Sequence, residues 1–209
     1  MDRHGSVEMR KLIVASNNAN KIKEIKEILK SIPVEILSLK EAGIDIDIEE
    51  TGSTFLENAY LKARGISEIA KGAMVLADDS GLAVESLGGA PGIYSARFAG
   101  EHGNGKKNNE KLLGVLKGKK AGERRASFIC AMVLIAEDGN AFDVTGRIDG
   151  IIAEEGKGTN GFGYDPVFYL EEYGLTFAEM ESETKNKISH RAKALEKLQL
   201  EMQKLVGVV

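Results

Sequence analysis

Several residue types that mark particular protein classes are scarce in this sequence. Its 209 residues include one cysteine, three prolines and no tryptophan, and aromatic residues make up 6% of the chain. The single cysteine, Cys130, cannot form an intramolecular disulfide, which is typical of a reducing compartment, so we expect a cytoplasmic protein. Because Cys130 lies in the apolar run 126–136, we interpret it as a small core residue.

Long hydrophobic runs and an excess of positive charge are absent as well. No stretch is both long and apolar enough to span a bilayer, and no signal-peptide apolar region opens the chain, so we expect no membrane contact. The formal net charge of −4 argues against a broad nucleic-acid surface and leaves room for a local basic pocket. Residues 1–8 are polar and are interpreted as an expression leader or a flexible start.

The chain does hold enough apolar material for one substantial core, because 43% of its residues are hydrophobic. An apolar strand pattern at 12–15 is followed by a polar loop, and then Ile22 and Ile25 recur at helical spacing. Pro33 ends that helix before a second strand pattern at 34–39. This order predicts a βαβ unit and an α/β fold.

Later segments extend this fold. The apolar runs 128–136 and 141–148 flank an Asp-Gly turn, which predicts an antiparallel hairpin and a mixed central sheet flanked by helices. Helices are predicted from Thr54 and from about 189 to 205, each with an apolar stripe. We therefore expect residues 9–209 to form one two-lobed domain with a cleft between the lobes.

Two adjacent carboxylates stand at the centre of the sequence. Asp78 and Asp79 follow the apolar run 74–77 and precede Ser-Gly, which predicts a short strand ending in a turn. In α/β folds, ligands bind at the carboxyl ends of strands, and two neighbouring buried aspartates need a divalent cation or a shared proton. The alternative is that both aspartates only cap the turn.

Two further polar segments could complete a site for an anionic ligand. Residues Ser16–Lys21 lie between a strand and a helix, where backbone N–H groups favour a phosphate; the alternative is that Asn20 simply caps the helix. Glu49 or Glu50 could join the aspartates around one Mg²⁺, unless this segment is only a solvated helix start. Lys62 is placed to point the same way, although most helix lysines face solvent.

The C-terminal half contributes two more segments. In 161–166, glycines permit close approach of the backbone to a ligand, and Phe162 and Tyr164 offer a stacking platform for a flat base. Residues 185–191 place lysines, a histidine and an arginine at a helix N-terminus, where cations oppose the helix dipole unless an anionic ligand is shared.

Taken together, these segments resemble the inosine/xanthosine triphosphate pyrophosphatase family, whose members hydrolyse deaminated purine nucleoside triphosphates to the monophosphate and pyrophosphate. The resemblance extends from Lys11 to about Leu205 and rests on five blocks in fixed order. These blocks are 16–21, 49–62, 77–98, 161–166 and 185–191.

The resemblance implies roles for individual residues. Asp79 matches the proton acceptor and a metal ligand, Glu49 matches a second ligand of Mg²⁺, Asp78 lies beside them, and Lys62 matches a lysine near the phosphates. It also implies a homodimer. The positions that match substrate-binding residues are Ser16, Asn17, Asn18, Ala19, Asn20, Lys21, Ser80, Phe162, Gly163, Tyr164, Asp165, Lys185, His190 and Arg191. Asn17 stands where the family often has glycine.

Base selection must depend on polar groups, because hypoxanthine and xanthine carry a 6-oxo group where adenine has an amine. Arg191 can only donate hydrogen bonds, so it would favour the oxo group. Guanine shares that group, and nothing in the sequence indicates how guanine is excluded. Two other functions fit the same segments: a pyrophosphatase for another damaged nucleotide, and a nucleotide sensor that does not hydrolyse its ligand.

Overall fold

The fold is built on one seven-stranded sheet, seen in a computed structural model that describes residues 9–207. In space the strands follow the order β2-β1-β3-β4-β5-β6-β7. The strands are β1 Arg10–Val14, β2 Val34–Ser38, β3 Met74–Val84, β4 Arg125–Ile135, β5 Ala141–Ile152, β6 Phe168–Leu170 and β7 Leu175–Thr176. The interpretation of residues 1–8 as a leader lies outside the described residues.

Five α-helices accompany the strands within the described part of the chain. They are α1 Ala19–Ile28, α2 Phe55–Ser67, α3 Gly105–Val115, α4 Ser182–Ile188 and α5 His190–Val206. Four of them begin at polar caps, Asn18, Thr54, Asn104 and Ser189, whose side chains accept hydrogen bonds from backbone N–H groups of the first turn. The helix α1 ends at Ile28, before Pro33 is reached. None of the helices described for residues 9–207 is both long and apolar enough to cross a membrane.

The sheet is mixed, as predicted. The strand β1 runs parallel to β2 and β3, and α1 connects β1 to β2, which confirms the βαβ unit. The strands β4 and β5 form the predicted antiparallel hairpin around the Asp-Gly turn. The α/β class with helices flanking a mixed sheet is therefore confirmed, while the division into two lobes stays a prediction.

The predicted end of the central strand is wrong. The strand β3 does not stop at Ala77 but continues through the two aspartates to Val84, because β4 pairs with it along this whole length. The pairing of β1 with β3 ends at Leu76, opposite Val14. The aspartates therefore lie within a strand, just beyond the point where its parallel neighbour stops, and one side of the strand is open there.

Helices cover both faces of the sheet. On one face, α1 and α5 pack against alternate residues of the central strands, including Leu76. On the other face, α2 packs against the intervening residues, including Val75 and Ala77. A third buried cluster contains Leu82 and side chains from α3 and β6. Because each face has its own helices, side chains that alternate along β3 enter different surroundings.

Candidate active site

The two adjacent aspartates of β3 point to opposite faces of the sheet. Asp78 shares its face with Leu76, toward α1 and α5, and Asp79 shares its face with Ala77, toward α2. Both carboxylates are buried, with residue exposures of 2% and 7%. They are neighbours in sequence, but each meets a different set of charged groups.

Asp78 is the centre of a buried ion-pair cluster. Its Oδ2 accepts hydrogen bonds from Arg191 Nη2 and Ser80 Oγ, both at 3.2 Å, and Lys21 Nζ lies 3.3 Å away. Burial alone raises the pKa of Asp78, but the nearby cations Lys21, Arg191 and Lys62 outweigh it and hold that pKa well below its usual range. Asp78 is therefore ionised at neutral pH and keeps these cations in place.

Asp79 has the opposite electrostatic character. Its Oδ2 accepts a hydrogen bond of 3.0 Å from Asn58 Nδ2. Burial, together with the charge of Glu50, raises the pKa of Asp79 to about 6, although Lys62 and Lys21 oppose the shift. A carboxylate whose pKa is close to neutral is suited to accept a proton during a reaction.

Lys62 points inward and connects the acidic segment 49–52 to β3. Its Nζ donates to the backbone oxygen of Asp78 at 2.6 Å and lies 3.4 Å from Glu50 Oε1, with 13% of its side chain exposed. The solvent-facing alternative for this lysine is wrong. The structure also brings Glu50, rather than Glu49, to this corner, and Glu49 is exposed. Composition alone does not indicate which of two adjacent glutamates points toward Lys62 and Asp79.

The carboxylates do not form a ready-made metal cage. Among residues 9–207, no group of three His, Cys, Asp or Glu side chains is arranged to hold a metal ion. Mg²⁺ is commonly bound by one or two carboxylates and completes its shell with substrate phosphates and water. The hard oxygen donors of Asp79 and Glu50 fit that kind of site, in which the ion and a phosphate ligand bind together.

The loop between β1 and α1 leads to Lys21, whose Nζ lies beside Asp78. Asn18, and not Asn20, caps α1, because its Oδ1 accepts the backbone N–H groups of Asn20 and Lys21. Ser16 Oγ accepts the N–H of Asn18 at 3.0 Å, which fixes the loop. Residues 17–20, which include Asn17 and Ala19, are exposed. A helix N-terminus, an exposed loop and the partly buried charge of Lys21 form a cradle suited to phosphate.

A carboxylate that the sequence analysis missed holds the second group of cations. Glu24 accepts a hydrogen bond from Lys185 Nζ at 2.6 Å and another from Arg191 Nη1. Arg191 is 1% exposed, so this pairing compensates a fully buried charge. Glu24 follows Lys21 by three positions on α1, and that helical spacing was the available signal that both face the site.

Asp165 holds the glycine-rich segment 161–166 in its conformation. Asp165 Oδ2 accepts the N–H of Phe162 at 2.9 Å and a hydrogen bond of 2.6 Å from Lys185 Nζ. Gly161 has a φ of +70°, and a Cβ there would lie 2.0 Å from Asp165 Oδ2, so glycine is required. The neighbouring Gly163 is exposed. The carboxylate of Asp165 therefore shapes the loop and positions a cation.

Only one of the two aromatic residues fits the predicted stacking platform. Phe162 is half-buried, and Lys185 Nζ and Arg191 Cζ lie 4.9 and 5.9 Å from its ring centroid. Tyr164 is buried in the core, and its hydroxyl donates to the backbone oxygen of Ser95 at 2.7 Å. The expected stacking role is therefore wrong for the ring of Tyr164, which anchors the loop instead.

His190 is a buried, neutral side chain at the start of α5. Its ring stacks on Phe128 with a centroid distance of 4.7 Å. Burial, followed by the charges of Arg191 and Lys185, lowers the pKa of His190 well below its usual value. Its Nδ1 has no hydrogen-bond partner within residues 9–207.

The start of α5 rests directly on the backbone of β5, which gives a testable prediction. A Cβ at Gly146 would lie 2.0 Å from the backbone oxygen of His190 and 2.6 Å from the N of Ala194. We expect Gly146→Ala to displace this turn and lower the free energy of unfolding by about 1–3 kcal/mol, as overpacking does. Urea unfolding measures the change.

Gly114 in α3 is the matched control, because nothing lies within 4 Å of a Cβ built there. Gly114→Ala should raise the free energy of unfolding by about 0.5–1 kcal/mol, since alanine favours a helix interior. If Gly146→Ala were as stable as the wild type, the direct packing of α5 on β5 would be contradicted.

Comparison with known proteins supports one family over nearly the whole chain. The profile of the Ham1 family matches residues 12–201. A Clostridium perfringens protein named dITP/XTP pyrophosphatase is 58% identical over 195 residues, spanning 91% of this chain and 96% of that protein. A Bacillus subtilis protein of the same name is 48% identical over 190 residues, spanning 91% and 96%.

Solved structures agree with the sequence comparison. The structure of the Staphylococcus aureus Ham1 protein matches this fold with a TM-score of 0.82 at 41% identity, covering 93% of this chain and 99% of that one. A Ham1 protein from Coxiella burnetii matches with a TM-score of 0.81 at 40% identity, covering 94% and 100%. Sequence and structure together show that the chain belongs to the Ham1 family.

Proposed function

We propose that this chain hydrolyses deaminated purine nucleoside triphosphates (ITP, dITP and XTP) to the nucleoside monophosphate and pyrophosphate, which removes them from the nucleotide pool. The names of its relatives point to this activity. The single observation that carries the proposal is the contrast within β3: Asp78 Oδ2 lies 3.2 Å from Arg191 Nη2 and 3.3 Å from Lys21 Nζ, whereas its buried neighbour Asp79 faces the other side of the sheet, where Asn58 binds its Oδ2. Two carboxylates in such different surroundings can take two different roles.

The charges around the aspartates suit a triphosphate. Such a ligand carries about four negative charges, which must be neutralised before a carboxylate can work beside it. Lys21 and Lys62 lie on the two sides of β3, and the N-terminus of α1 adds backbone N–H groups. The triphosphate would therefore lie along the open side of β3, between α1 and α2.

We propose Mg²⁺ as the cofactor, held by Asp79 and Glu50. When bound, the ion would neutralise charge and polarise the phosphoryl oxygens. Glu49 is the position that the resemblance assigned, but the geometry favours Glu50, which lies beside Lys62 and whose charge acts on Asp79. Removal of divalent ions with EDTA should abolish the activity.

The reaction that fits this site is direct attack by water. Asp79 would accept a proton from a water molecule as that water attacks the α-phosphorus, and the bond to the β-phosphate would break to release pyrophosphate. Asp78 would stay ionised and hold Lys21 and Arg191 in position. No covalent nucleophile is needed in this scheme.

Base recognition would come from the C-terminal segments. Phe162 offers its ring to a purine, and Lys185 and Arg191 lie near that ring. A 6-oxo group can accept a hydrogen bond from a cationic side chain, whereas the amine of adenine cannot, and such a mismatch discriminates strongly.

A panel of nucleotides with pyrophosphate detection tests the function. We expect turnover of dITP, ITP and XTP, with dATP slower by about 100-fold or more. Turnover of dUTP or dTTP without turnover of dITP would instead support a pyrophosphatase for another damaged nucleotide. Tight binding of ITP without any pyrophosphate release would favour a nucleotide sensor.

We also propose a homodimer and a cytoplasmic location. The dimer is suggested by the resemblance, and the location by the single cysteine. Light scattering coupled to size-exclusion chromatography tests the first, since the chain has a mass of 22.6 kDa and a dimer would have twice that value.

A further inference from the structure

We infer that Asn58 is a positioning residue. It orients the carboxylate of Asp79 and connects it to segment 49–52, which carries Glu50. This inference rests on the proposed function. Asn58 lies in the first turn of α2 and is 2% exposed. Its Nδ2 donates to Asp79 Oδ2 at 3.0 Å, and its Oδ1 accepts the backbone N–H of Gly52 at 2.8 Å.

The orientation of this amide is determined by its partners. The backbone N–H of Gly52 can only donate, so the oxygen of Asn58 must face Gly52. The amide nitrogen must then face Asp79, where an ionised carboxylate can only accept. Both hydrogen bonds would be lost if the amide flipped, so the side chain has one stable arrangement.

This arrangement fixes how Asp79 presents its two oxygens. Because Oδ2 is occupied by the amide of Asn58, the carboxylate cannot rotate freely about its bond to Cβ. Within residues 9–207 no hydrogen bond reaches Oδ1 of Asp79, so that oxygen is left for a ligand or a water molecule. Asn58 therefore determines which carboxylate oxygen of Asp79 can contact a metal ion or a water molecule.

The same side chain anchors the segment that carries Glu50. Gly52 packs tightly on the start of α2, since a Cβ there would lie 2.6 Å from Asn58 Oδ1 and 2.7 Å from Glu57 Cβ. The segment can approach this closely only because residue 52 is glycine. One buried amide thus connects the two carboxylates that we propose as ligands of Mg²⁺.

Asn108 provides a matched control elsewhere in the fold. It is also buried, at 3% exposure, and its Oδ1 accepts the N–H of Ala99 at 2.8 Å. Its Nδ2 donates to the backbone oxygens of Ser95 and Ala96 at 3.3 and 3.2 Å. It performs the same structural task as Asn58 but contacts no carboxylate of the site.

The test compares Asn58→Leu, Asn58→Asp and Asn108→Leu. Two quantities are measured: kcat and KM for dITP, and Mn²⁺ affinity by electron paramagnetic resonance with a non-hydrolysable α,β-imido dITP analogue. For Asn58→Leu we expect kcat to fall about 100-fold with KM nearly unchanged, because a small misplacement of a reacting group has this cost. Mn²⁺ affinity should fall about 10-fold or more, as for other residues that orient metal ligands.

The other two variants separate positioning from folding. Asn58→Asp keeps the size of the side chain and the acceptor for Gly52, but its carboxyl can donate to Asp79 only while the pair shares a proton. It should therefore fold, and its kcat should fall about 100-fold relative to the wild type as the pH rises and both carboxyl groups ionise. Asn108→Leu should lower thermal stability while leaving kcat unchanged. Asn58→Asp therefore decides the question if Asn58→Leu does not fold.

Three results would overturn the inference. They are a kcat within about threefold of the wild type in either folded Asn58 variant, an unchanged Mn²⁺ affinity in Asn58→Leu, and an equal loss of kcat in Asn108→Leu. If the wild type itself released no pyrophosphate from dITP, the proposed function would fail instead. The two failures are thus distinguishable.

Discussion

Replacing Asp79 with asparagine is expected to slow pyrophosphate release strongly and, at the same time, to stabilise the protein at neutral pH. The rate should fall by about 100- to 10,000-fold, the range that general-base catalysis contributes. The stability gain follows from burial, which raises the pKa of Asp79 from 3.8 to about 6. Above pH 6 the folded protein must therefore keep a charge in an unfavourable place, and asparagine removes that charge.

The sign and the pH window of this effect follow from proton linkage. A carboxyl group whose pKa is raised by folding binds its proton more tightly in the folded state, so its ionisation destabilises the fold as the pH rises from about 4 to 6. A shift of about two pKa units corresponds to about 3 kcal/mol at pH 7.5. Asp79→Asn should gain up to that amount at pH 7.5 and almost nothing at pH 4.

Urea unfolding at pH 4, 5.5 and 7.5 measures the gain. Asp47→Asn is the control, because Asp47 is exposed and its substitution removes the same formal charge. The control should change the free energy of unfolding by less than about 0.5 kcal/mol at every pH. A stability of Asp79→Asn that is lower than wild type at pH 7.5 would contradict the environment described for Asp79.

Replacing Asp78 with asparagine should have the opposite effect on stability. The ionised Asp78 compensates Arg191 and Lys21, and its removal leaves a buried guanidinium paired with Glu24 alone. Breaking a buried ion pair in this way costs about 3–5 kcal/mol. Two adjacent residues of one strand should thus respond to the same substitution with opposite signs.

The pH dependence of the Asp78 effect also differs. Because the cations hold the pKa of Asp78 below its usual range, its contribution is fully present above about pH 4 and is lost only in strong acid. The loss of stability in Asp78→Asn should therefore be constant from pH 5 to 8. Urea unfolding across that range is the measurement, and a stabilising or strongly pH-dependent effect would contradict the ion-pair cluster.

Local patterns predicted those parts of the fold that local interactions determine. The helical spacing of Ile22 and Ile25 gave α1, and the Asp-Gly turn gave the β4–β5 hairpin. The continuation of β3 was missed because Asp-Asp-Ser-Gly has the composition of a turn. It forms a strand since β4, distant in sequence, pairs with it throughout, and such pairing overrides intrinsic preference.

Gly81 shows why the composition of residues 78–81 wrongly predicted a turn. A Cβ at this position would lie 2.4 Å from Ser95 Oγ and 2.6 Å from the backbone oxygen of Gly92. The residue is glycine because another segment of chain packs against it, and not because the chain turns. A close approach between distant segments leaves no local signal that distinguishes it from a turn.

The candidate site was predicted in outline but not in its pairings. The segments containing Asp78, Asp79, Lys21 and Arg191 are brought together as expected. The choice between Glu49 and Glu50, the role of Glu24 and the inward turn of Tyr164 depend on side-chain direction in three dimensions. Spacing restricts these directions in a helix, but it leaves them open in a loop such as 49–52.

The position of the new oxygen atom tests the central claim most directly. Hydrolysis of dITP by the wild type in ¹⁸O-enriched water should place one ¹⁸O atom in the dIMP and none in the pyrophosphate, because water activated by Asp79 attacks the α-phosphorus. Mass spectrometry of both products measures this. Label in the pyrophosphate, or release of orthophosphate, would contradict the account, since the attack would then occur at another phosphorus atom.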